Sequence, residues 1–227
     1  IMLRVSLAVS LAGLAVADEA LAAPQWPTGP SARHHHSMAL DSARQRVVLF
    51  GGNSNDQWPN GALGDTWEWN GTRWELRTPA NSPSPRGLGA MAFDPSRNSC
   101  MYFGGTTNGN TGLLNETWEW NGVDWSLRAT SNAPSPRRSH SMVFDAAHQE
   151  FMLFGGWDGT DKDDTWTFDG NNWLQAQPPL SPTARYEHAL AFQPSNGSVL
   201  LFGGLAGTTR LDDTWEWDGS NWLARHP

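Results

Sequence analysis

The sequence has few of the residues that build cross-links, reactive centres or basic surfaces. Its 227 residues include one cysteine, Cys100, so a disulfide framework or a cysteine-rich zinc site within the chain is excluded. Cys100 lies in the apolar run NSCMYFGG, which favours a buried, unreactive thiol over a catalytic nucleophile. The formal net charge is −8 and there is no basic run, which argues against binding to nucleic acid or to an anionic membrane surface.

Long hydrophobic stretches are also scarce, and only the N-terminal one resembles a targeting segment. An apolar stretch at residues 5–17 follows Arg4, and the small-residue triplets AVA before Asp18 and ALA before Ala23 are candidate cleavage sites. This pattern predicts a secretory signal peptide over 1–23 and is too short to span a membrane, although a buried strand or helix is an alternative. We therefore expect a secreted, periplasmic or extracellular protein with a linker over 24–32.

Tryptophan, in contrast, is abundant, and most of it recurs at a regular spacing. The chain has 14 tryptophans, and the stretch DTWEWNGTRW at 65–74 returns as ETWEWNGVDW, DTWTFDGNNW and DTWEWDGSNW. A glycine doublet after an apolar run (VLFGG, MYFGG, MLFGG and LLFGG) and an arginine keep the same period of about 50 residues. Three markers that share one period indicate a tandem repeat.

Each repeat predicts four short β-strands. In the third repeat they are RRSHSMVFD, EFMLFGG, DTWTFDG and NNWLQAQ, and an Asn-Gly or Asp-Gly turn separates the third and fourth strands of every repeat. Because side chains alternate along a strand, Trp67 and Trp69 point to one face. A sheet that is covered on both faces needs large apolar side chains there. We therefore expect the repeated tryptophans to pack against neighbouring sheets.

The glycine doublet, the aromatic third strand and the tryptophan after a tight turn together resemble the Kelch repeat, over about residues 33–226. The resemblance implies an all-β fold of β-propeller blades like those of galactose oxidase, each a four-stranded antiparallel sheet. The expected propeller domain is 33–227, with blades at about 33–77, 86–129, 137–177 and 185–225. Kelch propellers usually have more than four blades. The chain is therefore a small ring, a fragment that needs additional blades, or a half that self-associates.

The loops between the second and third strands differ strongly among the repeats, whereas the turns that follow the third strands are nearly uniform. Variable loops on a uniform scaffold favour recognition over packing, although loops that only cap the ring are an alternative. The residues expected to contact a ligand are Trp58, Trp157, Asp158, Asp161, Lys162 and Arg210. We predict a non-catalytic module that binds a protein or a glycan and needs no cofactor.

Three histidines suggest a different function at the expected mouth of the channel. His36, His140 and His188 each follow the repeated arginine by three residues, so a metal or proton-transfer site there would indicate a sugar-acting enzyme of the epimerase or oxidase type. Recurrence in the repeat favours a structural role instead, and we predict no metal. The copper radical chemistry of galactose oxidase is disfavoured, because Tyr102 and Cys100 both lie in a core strand.

Four arginines and four acids also recur once per repeat. The arginines are Arg33, Arg86, Arg137 and Arg185, and the acids that open the third strands are Asp65, Glu116, Asp164 and Asp213. A guanidinium between packed sheets needs a partner, because an unpaired buried charge is costly. We therefore predict one structural ion pair per blade and no ligand contact by these arginines.

Overall fold

The computed structural model describes residues 29–225, and the predicted signal peptide and the first part of the linker lie outside this range. The described residues form four four-stranded antiparallel sheets and two two-stranded hairpins. The predicted all-β class and the Kelch-like blades are thereby confirmed. Within residues 29–225, no helix has the length and apolar character needed to cross a membrane.

The four sheets, numbered blades 1 to 4, follow one another along the chain. Blade 1 contains β1 (Ser37–Asp41), β2 (Arg46–Phe50), β3 (Thr66–Trp69) and β4 (Trp74–Arg77). Blade 2 contains β5 (Ala90–Asp94) and β6 (Ser99–Phe103), then a hairpin of β7 (Thr106–Asn108) and β8 (Thr111–Leu113), then β9 (Thr117–Trp120) and β10 (Trp125–Arg128). Blade 3 contains β11 (Ser141–Asp145), β12 (Glu150–Phe154), β13 (Thr165–Phe168) and β14 (Trp173–Ala176). Blade 4 contains β15 (Ala189–Gln193) and β16 (Ser198–Phe202), then a hairpin of β17 (Leu205–Ala206) and β18 (Thr209–Arg210), then β19 (Thr214–Trp217) and β20 (Trp222–Arg225).

The four blades follow one another around a common axis. In every sheet the strands pair in sequence order, so the first strand forms one edge and the fourth strand the other. The first strands lie side by side, with β1 next to β5, β5 next to β11, and β11 next to β15. Among the described residues, β1 and β15 do not pack on each other. The four blades therefore form an open arc of a propeller.

The hydrophobic core consists of three layers, one between each pair of successive blades. In every layer, the phenylalanine that ends a second strand packs on the tryptophan that begins the fourth strand of the next blade. The three pairs are Phe50–Trp125, Phe103–Trp173 and Phe154–Trp222, with ring centroids 5.1, 4.9 and 5.1 Å apart. The same tryptophans donate their indole N–H to a threonine of the preceding blade (Thr66, Thr117 and Thr165), at 2.9 Å in each case.

The glycine doublet that ends each second strand allows neighbouring backbone to come close. Gly52 has a φ of 102°, and a Cβ at this position would lie 2.7 Å from the carbonyl oxygen of His34. The N–H of Gly52 donates to the carbonyl oxygen of Arg86 at 2.9 Å, which joins blade 1 to the segment that leads into blade 2. A residue with a side chain would disrupt this link, because both the space and the positive φ favour glycine.

Candidate functional site

Each of the four repeated arginines lies against the acid that opens the third strand of its own blade. The shortest N–O distances are 2.6 Å for Arg33–Asp65, 2.7 Å for Arg86–Glu116, 2.6 Å for Arg137–Asp164 and 2.6 Å for Arg185–Asp213. The first tryptophan of the third strand donates its indole N–H to the same acid in all four blades. The structure thus brings together every pair that the sequence suggested, and adds a tryptophan to each.

In the Arg137 pair, every N–H donor of the guanidinium group binds an acceptor of the protein itself. Its nitrogens make two hydrogen bonds to Asp164, two to Ser135 and one to the carbonyl oxygen of Gly155. These five bonds equal the number of N–H donors that an arginine carries. Burial acts to raise the pKa of Asp164, but the hydrogen bonds and charge of Arg137 outweigh it and hold that pKa below its usual value. No donor of Arg137 is left for a ligand.

The three histidines at the expected channel mouth do not form a ligand set. His140 and His188 are buried, with their rings edge-on to Phe103 and Phe154 at centroid distances of 5.5 and 5.4 Å. Burial, with a smaller effect of the neighbouring arginine, lowers the pKa of both histidines to about 3. His36 is exposed. Over residues 29–225, no group of three or more His, Cys, Asp or Glu side chains is placed so that it could hold a metal ion.

Blade 2 has glycine where these histidines recur, and a tyrosine fills the space. A Cβ on Gly89 would lie 2.2 Å from the hydroxyl oxygen of Tyr102. Tyr102 occupies the second-strand position that is leucine in the other blades, for example Leu153. Its ring is buried against Phe50 and Trp125, and burial raises its pKa. Tyr102 is therefore a core residue.

A pocket of about 610 Å³ opens at the end of the arc where the loops between second and third strands lie. Loop residues of blade 1 and of the β7–β8 turn line one side of it: Asp56, Gln57, Trp58, Asn108, Gly109 and Asn110. Arg138 and three residues near the axis complete the lining: His35, Leu88 and Glu187. A narrower concavity of about 360 Å³ continues from the axial residues past His36 and His140. The pocket therefore lies at the mouth of the channel.

Near the axis, one residue per blade has the same backbone conformation, and three of these four residues line the pocket. His35, Leu88, Ser139 and Glu187 have φ values of 57°, 62°, 56° and 57°. The N–H groups of Leu88, Ser139 and Glu187 each donate to the carbonyl oxygen of the counterpart in the preceding blade, at 2.9, 2.8 and 2.9 Å. We call these four residues the axial row. Positive φ is uncommon for residues other than glycine, and such positions concentrate at functional sites.

Sequence reasoning did not find the axial row, although a signal for it exists. The residue two places after the repeated arginine differs in every blade, as His35, Leu88, Ser139 and Glu187, while the residue after it is histidine in three of the four blades. A position with one backbone conformation and four different side chains is not required for packing. Where the side chain is exposed, as at His35 and Glu187, it forms a variable surface on a uniform scaffold.

Arg138 is the cation of the pocket and is held in place from behind. Its guanidinium carbon lies 4.7 Å from the centroid of the Trp157 ring, and its Nη2 donates to the side-chain oxygen of Asn110 at 2.9 Å. A guanidinium over an indole face is favourable, and Nη1 also donates to the hydroxyl of Ser139 at 3.3 Å. Trp157, predicted as a ligand contact, thus supports Arg138 and does not itself line the pocket.

Trp58 is the one predicted contact residue that lines the pocket. Glycines make room for its indole, since a Cβ on Gly87 or Gly109 would lie 3.1 Å from ring atoms Cη2 or Cδ1. The other predicted contacts lie on blades 3 and 4, away from the pocket. Asp158 pairs with Lys162 at 2.9 Å, Asp161 accepts a bond from the N–H of Gly207, and Arg210 is exposed in β18.

The chain was also compared with known proteins. The family model of the KLHDC2/KLHL20/DRC7 Kelch-repeats domain matches it over residues 16–178 and again over 102–227. The chain is similar to the host cell factor homolog hcf-1 of Caenorhabditis elegans, with 26% identity over 142 residues, which are 58% of this chain and 17% of that protein. Domains of this kind generally act as protein-binding modules. The chain belongs to the Kelch-repeat domain family.

Proposed function

We propose that the chain is a non-catalytic protein-binding module and that the pocket at the channel mouth is its recognition site. The axial row carries this proposal. Three of its members, His35, Leu88 and Glu187, line the pocket with different side chains on one repeated backbone. Packing positions in this chain repeat their side chains from blade to blade, as the arginine–acid pairs do. A position that varies at a concave site serves recognition.

The polar character of the pocket defines the kind of protein segment that it suits. Arg138 supplies one positive charge, and Asp56 and Glu187 supply two negative charges. Burial, followed by the neighbouring His34, lowers the pKa of His35, so this residue is neutral at neutral pH. The amide side chains of the pocket offer hydrogen bonds, and Trp58 and Leu88 add apolar surface beside them. The pocket suits a polar peptide segment whose acidic group binds Arg138 in the two-pronged manner of carboxylates and whose basic group faces Asp56 or Glu187.

A glycan is the second candidate ligand, because an indole and amides line the pocket. Stacking of a sugar requires an open indole face, and Gly87 and Gly109 both lie close against the Trp58 ring. This favours a protein over a glycan. A sugar-acting enzyme that uses His36, His140 and His188 has less support, because two of the three rings are buried and neutral.

Binding through Arg138 is tested with peptides selected from a displayed library on the wild-type chain. Arg138→Ala should weaken the selected peptides about tenfold or more, since a hydrogen bond to a charged group contributes about 1.5–3 kcal/mol. Arg210→Ala is the matched control, because Arg210 is an exposed arginine of the blade 4 hairpin. Unchanged affinity for Arg138→Ala, or a loss with Arg210→Ala alone, would contradict the proposed site.

We further propose that the protein is secreted, on the support of the N-terminal pattern over residues 1–23 alone. Expression in a host with a secretory pathway, followed by N-terminal sequencing of the product, tests this. A product recovered outside the cytoplasm and shortened near residue 23 supports secretion. An intracellular product with an intact N-terminus contradicts it.

A further inference from the structure

The three junctions inside the arc are built alike from two different faces. We call the leading face of a blade the one that carries the tryptophan at the start of its fourth strand. The trailing face carries the phenylalanine that ends the second strand and the threonine that opens the third. In each junction, the tryptophan of one leading face covers the phenylalanine and donates to the threonine of the preceding trailing face.

No part of residues 29–225 covers the trailing face of blade 4. Phe202 ends its second strand and is 53% exposed, whereas its three counterparts Phe50, Phe103 and Phe154 are at most 1% exposed. Thr214 opens its third strand and is half-buried, and within residues 29–225 it receives no bond from an indole. Thr66, Thr117 and Thr165 are buried and all receive one. Blade 4 therefore presents the receiving half of a junction without its partner.

The leading face of blade 1 is uncovered in the same way. Trp74, which begins its fourth strand, is only half-buried, and Met38 and Leu40 of β1 are exposed. Among the described residues, a Cβ added at Gly71 would have no neighbouring atom within 4 Å apart from the adjoining residues. The equivalent glycines, Gly122, Gly170 and Gly219, are each covered by a side chain of the preceding blade. Blade 1 therefore presents the donating half of a junction.

These two open faces match each other in residue type. At the junction of blades 1 and 2, Trp125 donates to Thr66 and Trp120 donates to Glu68, at 2.9 and 3.0 Å. Blade 4 repeats the strand sequence TWEW, so Thr214 and Glu216 stand in the positions of these acceptors. Blade 1 carries Trp69 and Trp74 in the positions of the two donors.

The remaining junctions lack this pair of bonds, so the match is specific. Blade 3 has Phe168 at the position of Trp120 and therefore offers no donor to Glu119. Blade 3 has Thr167 at the position of Glu68, and the indole N–H of Trp217 has no partner among the described residues. The open faces of blades 4 and 1 thus resemble the blade 1–2 junction and neither of the other two.

We propose that a second copy of this chain covers both open faces and that two copies complete one eight-bladed propeller. Blade 4 of each copy receives blade 1 of the other, so a two-fold axis relates two identical junctions and leaves no open face. Eight blades lie within the range of four to eight that propellers adopt. The second copy is the occupant because both halves of the junction are present on this one chain.

The proposed contacts follow from the junction of blades 1 and 2. Trp74 of the second copy covers Phe202 and donates to Thr214, and Trp69 of the second copy donates to Glu216. The axial row continues across the junction, with the N–H of His35 of the second copy donating to the carbonyl oxygen of Glu187. These contacts bury the largest apolar groups that the two faces now expose.

Light scattering coupled to gel filtration tests the proposal with the 227-residue chain. We expect the wild type to have the mass of two chains, and Phe202→Glu and Trp74→Glu each to have the mass of one. An equimolar mixture of the two variants should again contain two-chain particles, because blade 4 of the Trp74→Glu chain and blade 1 of the Phe202→Glu chain form one intact junction. Their dissociation constant should exceed that of the wild type at least tenfold.

A control separates this effect from a general loss of surface hydrophobicity. Val123 is 77% exposed in a turn of blade 2, away from both open faces, so Val123→Glu should keep the wild-type mass. Circular dichroism shows whether each variant remains folded. A wild-type mass of one chain, or of more than two, overturns the proposal. The proposal is also overturned if the Trp74→Glu variant, measured without the other variant, has the mass of two chains, because this would indicate contact between two blade 4 faces.

Discussion

Replacement of Arg137 by alanine should destabilise the chain strongly without touching the recognition site. The variant loses five hydrogen bonds and leaves Asp164, whose side chain is 17% exposed, without its counter-charge. Removal of one partner from a fully buried pair costs about 3–5 kcal/mol, and the partial exposure of Asp164 favours the lower end, about 3 kcal/mol. For a chain of this size each kcal/mol lowers the melting temperature by about 2–4 °C, so we expect a decrease of about 6–12 °C.

Thermal unfolding followed by tryptophan fluorescence measures this effect. Arg137→Lys should lose less than Arg137→Ala, because lysine keeps the charge but not the two-pronged contact with Asp164. Arg138→Ala is the control at the next residue, and its melting temperature should change little since its guanidinium lies at the pocket. A melting temperature of Arg137→Ala within about 2 °C of the wild type, or a folded Arg137→Ala that loses peptide affinity as Arg138→Ala does, would refute the structural role.

Two further predictions concern the channel side of the blades. His140 and His188 stay neutral in the folded chain because their pKa is lowered from 6.5 to about 3, whereas they bind protons when unfolded. The free energy of unfolding should therefore be highest above about pH 6.5 and should decrease towards pH 3, by roughly 2 kcal/mol per histidine at pH 5. Chemical denaturation of His140→Leu at the same pH values should show a smaller decrease. Gly89→Ala should lower the melting temperature because its Cβ meets Tyr102 at 2.2 Å. Gly89→His combined with Tyr102→Leu should recover most of that loss, and no recovery would show that the fit between these side chains is not the reason.

The repeated parts of the fold could be predicted from the sequence because packing imposes the same residue on every blade. The arginine and the acid of each blade recur together, and the structure pairs them, as Arg137 with Asp164. The tryptophans recur because each layer between blades needs one large ring, such as Trp125 against Phe50. At such positions, the spacing of a residue type in the sequence predicts which residues contact each other in the fold.

The pocket proposed as the recognition site could be predicted only in part, because its residues do not repeat. Trp58 was identified because it falls outside the repeat, and it lines the pocket. Leu88 gave no sequence signal for a positive φ, which bulky residues rarely adopt. Asp158 and Lys162 were expected to contact a ligand, but they pair with each other. Local pairing of loop charges depends on loop geometry, which composition does not reveal.

The open faces and the pocket are connected through the axial row. His35 and Glu187 are its first and last members, and both line the pocket. In the two-chain ring, the carbonyl group of Glu187 gains a donor and the N–H group of His35 gains an acceptor from the other copy. Assembly would then fix the backbone at both ends of the pocket wall and lower the entropy lost when a partner binds. If the proposals on recognition and assembly both hold, the same entry loops of the first strands would join the blades and present variable side chains to a partner.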